Sequence, residues 1–238
     1  MSKIYDAYRK NSGSNEEIIG DLTPVRAADV FPPLQGKQQE EFTQLANRLL
    51  NIRNPERSTV ISFASSVSGE GASFVSYHAA AQLANTYGMR VAWFDCNFLS
   101  PHRALECGSG ATVADLFLEP GQVHFLHPAN DFMVVPAGTN LIGQRGLFVS
   151  AEFDNLLKTI HDLFDFVIVD LPPLLKASDS ALIAQRTDGF LLVIEQRFLK
   201  WEILESAIQD LKDKGVNVLG SVINKRQFEL PKVIYDRL

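Results

Sequence analysis

The stretch from Thr59 to Ser73 reads TVISFASSVSGEGAS, and its two halves decide the fold. TVISFA (residues 59–64) is a continuous apolar run of strand length, the pattern of a parallel strand covered on both faces. SVSGEGAS (residues 66–73) follows at once. Laid on the phosphate-loop pattern G-x-x-x-x-G-K-[ST], it puts Ser66 at the first position, Gly71 at the second glycine and Ser73 at the hydroxyl. Ala72 stands where the pattern has its lysine. Such a loop holds phosphate oxygens on backbone N–H groups and a helix N-terminus, while its lysine neutralises the β- and γ-phosphates. The stretch Ser68, Gly69, Glu70, Gly71, Ala72 and Ser73 keeps the first capacity and lacks the second.

As a bare string the loop equally fits an ordinary turn between a strand and a helix, with Ser73 as a helix cap. Two further segments count against coincidence. MRVAWFDCN (residues 89–97) is a buried-type strand carrying Asp95 at its end, and DFVIVDLPPLL (residues 165–175) is another carrying Asp170. Carboxylates at the C-terminal ends of such strands lie at the sheet edge where α/β proteins bind ligands. The plainer alternatives are a turn or cap role for Asp95 and a strand-end turn role for Asp170. DFMVVPAG, GFLLVIE and VNVLGSVIN read as further strands, and helices are expected over residues 38–52, 152–164 and 201–214.

The opening MSKIYDAYRK, the loop SVSGEGAS, the strand ends FDCNFLSPH and VIVDLPP and the late NVLGSVIN, in this order, resemble the bacterial tyrosine kinases of exopolysaccharide synthesis. That family lies within the MinD/ParA group of P-loop ATPases. The resemblance implies an α/β fold of the P-loop NTPase type, a mostly parallel sheet flanked by helices in a single domain, with the loop strand beside the Asp170 strand. It implies ATP or ADP as the ligand, Asn224 against the adenine ring, and Mg²⁺ held through Ser73, Asp95 and Asp170. Asp95 takes the place of the catalytic base. The implied partner is the cytosolic segment of a membrane polysaccharide co-polymerase, through which the protein would reach the inner face of the membrane.

Departures from the family pattern accumulate beside the matches. Asn97 replaces the second aspartate, Leu99 the arginine after it, and Val67 the early-loop lysine of MinD and ParA proteins. The ring-forming glutamate–arginine–arginine motif falls on Glu40, Thr43 and Ala46, which leaves an oligomer open but without both arginines. Only Tyr235 stands in the tail where such kinases carry a tyrosine cluster. The leading expectation is therefore a catalytically impaired scaffold. The alternative is an atypical ATPase or tyrosine autokinase that recruits a cation such as Lys176 or Arg103. A positioning ATPase of the MinD/ParA type is the weaker third reading.

Composition limits the other classes. The 238 residues carry a net charge of −6 and 46% hydrophobic residues, which suits a globular domain and offers no basic face for nucleic acid. No apolar run reaches the roughly 18–20 residues a spanning helix needs. Two cysteines without zinc spacing read as free thiols of a cytoplasmic protein. His124 and His127 lack acidic or cysteine partners, so a metal site there is not expected. Residues 1–37 read as a flexible tail and 38–238 as the folded domain. The pair Lys225 and Arg226 reads as a solvated strand exit.

Overall fold

The apolar run before the loop forms β1 (Thr59–Ser65), buried at every position. The computed structural model describes residues 30–102, 112–114, 132–138, 163–177, 179–196 and 201–225. Around β1 stand β2 (Val91–Asp95), β3 (Phe132–Val135), β4 (Phe166–Asp170), β5 (Gly189–Glu195) and β6 (Val218–Asn224). They form one sheet in the order β3-β2-β4-β1-β5-β6, with every pairing parallel. The loop strand lies beside the Asp170 strand, with Thr59 opposite Phe166 and Phe63 opposite Asp170.

Alternation along the central strands feeds two apolar layers. Ile61, Phe63, Trp93, Phe166 and Ile168 pack under α1 (Lys37–Leu50) and α2 (Ala72–Tyr87). Val60, Ala64, Phe94, Val167, Phe190 and Leu192 face the opposite layer, which holds residues of α3 (Asp179–Ala184) and α4 (Trp201–Asp213). α2 presents Ala79, Ala80 and Ala84 to the sheet, small side chains that let the helix approach closely. Gly88, at φ 62°, closes it in the left-handed conformation, its N–H donating to the Ala84 carbonyl. α1 lies across α2, with Tyr87 Oη donating to Asn47 Oδ1 (2.6 Å) and Gln82 Nε2 to Thr43 Oγ1 (2.8 Å).

One detail departs from the sequence reading. The boundary of the tail at residue 37 moves back: Val30 is buried, and Phe31 packs on Tyr77 (ring centroids 5.1 Å) and on His102 (4.5 Å). Ala46, in the second arginine position of the ring motif, is a fully buried residue of α1. The helix expected over residues 152–164 lies outside the described residues except at its end, as do His124, His127 and Tyr235.

The sheet edge opposite the loop is held by ions. Asp165, just before β4, takes Arg53 Nη2 (2.8 Å) and Arg90 Nε (3.2 Å). Asp188, just before β5, pairs with Arg57 and accepts the Val60 N–H (2.8 Å). Burial acts to raise the Asp165 pKa, but hydrogen bonds and charge from Arg90, with Arg53, outweigh it and hold the carboxyl below its ordinary range.

Candidate functional site

The loop leaves β1 at the C-terminal edge of the sheet and enters α2 through two glycines in the left-handed region, Gly69 at φ 95° and Gly71 at φ 92°. A side chain at Gly71 would also meet Asn224, whose Nδ2 lies 2.3 Å from where a Cβ would stand. Both the torsion and the crowding demand glycine there. α2 starts at Ala72 with no side-chain cap and no acidic residue in its first turn. No cap or acidic residue of its own first turn therefore offsets its N-terminal amides and dipole. Ser73 sits inside the helix and does not cap it; its hydroxyl bonds the Asp170 carboxylate.

Four carbonyls of the loop are drawn outward. The turn after β4 donates Leu174 N–H to Ser65 O (2.9 Å) and Leu175 N–H to Ser66 O (3.1 Å). From the end of β6, Lys225 Nζ reaches Gly69 O (2.6 Å) and Asn224 Nδ2 reaches Glu70 O (2.9 Å). A trans peptide points its N–H opposite to its C=O, so the amides of Glu70 and Gly71 turn away from β6. The Glu70 carboxylate is buried and spent within the fold, accepting the N–H groups of Val67 (2.9 Å) and Glu195 (3.2 Å).

Asp95 and Asp170 stand opposite one another in register at the ends of β2 and β4. Both are about 1% exposed. Asp95 accepts the backbone N–H of Asn97 on Oδ1 (2.9 Å) and that of His102 on Oδ2 (2.9 Å), so it fastens the turn after β2. Asp170 lies against α2, with Ser76 Oγ 3.4 Å from its Oδ1, while its Oδ2 has no partner. Ser76 in turn receives Trp93 Nε1 at 2.9 Å. Burial first, and then the neighbouring Asp95, pushes the Asp170 carboxyl well above the ordinary range, against the pull of Ser73 and Ser76. Burial, Asp95 and Asp170 likewise raise the Cys96 thiol, which keeps it inert.

The residues present fit a phosphate and a hard cation in part. Left-handed glycines, outward carbonyls and an uncapped helix start suit a diphosphate. The orphaned Asp170 oxygen beside the Ser73 hydroxyl suits Mg²⁺, which binds through one or two carboxylates together with phosphates and water. Among the described residues no group of three or more His, Cys, Asp or Glu converges, so no all-protein cage exists there. At the lysine position stands Ala72, a nearly buried methyl group that belongs to the core layer beneath the helices.

Of the other positions singled out in the sequence, Lys176 is exposed in the turn after β4 and Arg103 lies outside the described residues. Leu99 is 41% exposed, an apolar side chain where the family pattern has an arginine. Asn224 is at the site, tied to the loop. Lys225 is half exposed at the strand exit, as read from the sequence, and it also binds Gly69 O and Glu195 Oε2 (3.0 Å). The signal for it was weak, since a lysine after a strand end is ordinary. Its φ of 50°, the one positive value at a non-glycine residue among those described, is not written in its residue type.

No family model matches the chain. It is 34% identical over 93 residues to a tyrosine-protein kinase CpsD of Streptococcus agalactiae, covering 39% of this chain and 40% of that one. A tyrosine-protein kinase wzc of Salmonella typhi is 23% identical over 159 residues, 65% of this chain and 22% of that one. The chain thus spans about two fifths or less of the length of these curated relatives. Among solved structures, the kinase domain of the Escherichia coli tyrosine kinase ETK superposes with a TM-score of 0.71 at 20% identity, over 97% of this chain and 89% of that one. The VpsO kinase domain gives 0.66 at 24% identity, over 80% and 98%. Over part of its length the chain is similar in sequence to these bacterial tyrosine kinases, and it has the fold of the solved kinase domains.

Proposed function

We propose, from that kinship, that the protein is a kinase-like component of exopolysaccharide or capsule biosynthesis and export that acts as a scaffold and not by phosphoryl transfer. The observation that carries the reading is Ala72, a methyl group at the head of α2 in a loop whose backbone is otherwise set for phosphate. Phosphoryl transfer is mostly positioning and charge stabilisation, so losing the cation nearest the transferred group costs turnover more than it costs binding. A charge-assisted hydrogen bond is worth about 1.5–3 kcal/mol, so the lost lysine weakens ground-state affinity by roughly 10- to 150-fold and leaves a measurable site. When bound, Mg²⁺ would supply charge neutralisation between phosphates, held by Ser73, Asp170 and Asp95. Asn224 would meet the base.

The partner that this reading implies is the cytosolic segment of a membrane polysaccharide co-polymerase, with membrane association through that partner. No helix among the described residues is long and apolar enough to cross a membrane. The test is a steady-state assay of ATP hydrolysis and autophosphorylation on the purified protein. The expected result is no activity above background. Turnover abolished by Asp95→Ala would instead establish an active, atypical kinase or ATPase.

A further inference from the structure

The loop is complete on its amide side and deficient at its far end. On the amide side, outward hydrogen bonds on the carbonyls of Ser65, Ser66, Gly69 and Glu70 fix the peptide planes, and two of those bonds come from consecutive residues, Asn224 and Lys225. Lys225 makes its bond from a left-handed backbone, a conformation that costs a non-glycine residue energy and persists only where surrounding contacts hold it. Its ammonium also pairs with Glu195, whose own N–H is held by Glu70. Among the described residues Lys225 is the cation in contact with the loop.

At the far end the chemistry is reversed. The loop lysine of the intact pattern reaches the β- and γ-phosphates. Here that position is the methyl of Ala72, and the carboxylate beside Ser73 has a buried oxygen with no donor. A third phosphate would bring further negative charge to an end of the loop where Ala72 supplies no cation. The first two phosphates would meet amides and the helix N-terminus, which the loop keeps without the lysine.

We propose that the loop is a nucleoside-diphosphate site that discriminates against triphosphates, and that Lys225 is its positioning residue. This rests on the reading above that nucleotide binds at the loop.

The test is calorimetric titration of the full chain with ADP and with the non-hydrolysable triphosphate AMP-PNP, each in EDTA and in Mg²⁺. In EDTA, ADP is expected to bind about 10-fold or more tightly than AMP-PNP, the scale of one lost charge-assisted contact. Mg²⁺ narrows the gap by supplying the missing charge. Ala72→Lys shifts the ADP to AMP-PNP ratio by about 10-fold or more toward the triphosphate. Lys225→Met weakens both ligands about equally, whereas Lys225→Arg, which keeps a donor for Gly69 O, retains ADP binding. Equal or tighter binding of AMP-PNP in EDTA overturns the discrimination, and that wild-type comparison decides it even if Ala72→Lys does not fold. Unchanged ADP affinity in a folded Lys225→Met overturns the positioning role. Binding of neither nucleotide overturns the underlying reading as well, a result distinct from binding with the wrong preference.

Discussion

Asp170 shows what the site costs the fold. Its carboxyl is buried against Asp95, with one oxygen lacking a donor, and its pKa is raised. An acid with a raised folded-state pKa favours the folded state below the ordinary carboxylate value. That contribution is lost as pH climbs through the raised value. Asp170→Asn removes the charge while keeping the shape, so it should stabilise the protein at pH 8, measured by thermal unfolding in a chelator. A gain of about 1 kcal/mol would appear as a rise of about 2–4 °C in Tm for a domain of this size. The gain should fade as pH approaches 4. A destabilised variant at pH 8 would show that the carboxylate is held by compensating contacts. The pair Asp95 and Asp170 was legible in the sequence because each ends an apolar run, and strand ends place residues at one edge. The double anchoring of Asp95 by Asn97 and His102 was not legible, since a backbone donor leaves no mark in residue type.

At the level of elements, α2 carries the loop at its head and an aromatic cluster along its outer side. His78 lies among Phe42, Phe74 and Tyr77, with Phe31 from the preceding segment closing over it. Its Nε2 is buried without a partner. Burial lowers its pKa to about 4, only partly opposed by a backbone hydrogen bond at Pro32. A base with a lowered folded-state pKa lends stability that is complete above about 6.5 and is lost as pH falls toward about 4. The loss amounts to about 2–3 kcal/mol across that window. Replacing His78 by Phe should flatten the decline between pH 6.5 and 4 in chemical denaturation, leaving the acid sensitivity of Asp165 below it. An unchanged slope would place the titrating group elsewhere. That a helix follows the loop was implied by the phosphate-loop pattern, which ends on a helix N-terminus. The closing segment was not, because one phenylalanine in a proline-containing stretch carries no periodic signal.

For the whole molecule, the order of motifs along the chain sufficed to give the parallel sheet, since three apolar runs led into the loop, Asp95 and Asp170, all of phosphate-site type. The clamp from β6 escaped because it joins positions far apart in sequence through a lysine side chain and a left-handed backbone. The scaffold reading makes a cellular prediction at this scale. Deleting the protein should reduce or alter surface polysaccharide, while Asp95→Ala and Asp170→Ala, at normal protein levels, should largely preserve it. Point mutants that reproduce the deletion would return nucleotide chemistry to the centre. The central place of β1 has a further consequence, for synthesis. Its hydrogen-bonding partners are β4 and β5, which leave the ribosome long after it does. Until Glu195 has emerged, the phosphate-loop strand has at least one bare edge, flat and apolar, of the sort that pairs with other chains. A nascent or truncated chain ending before that point is expected to need a chaperone or to aggregate, however well its N-terminal half is composed.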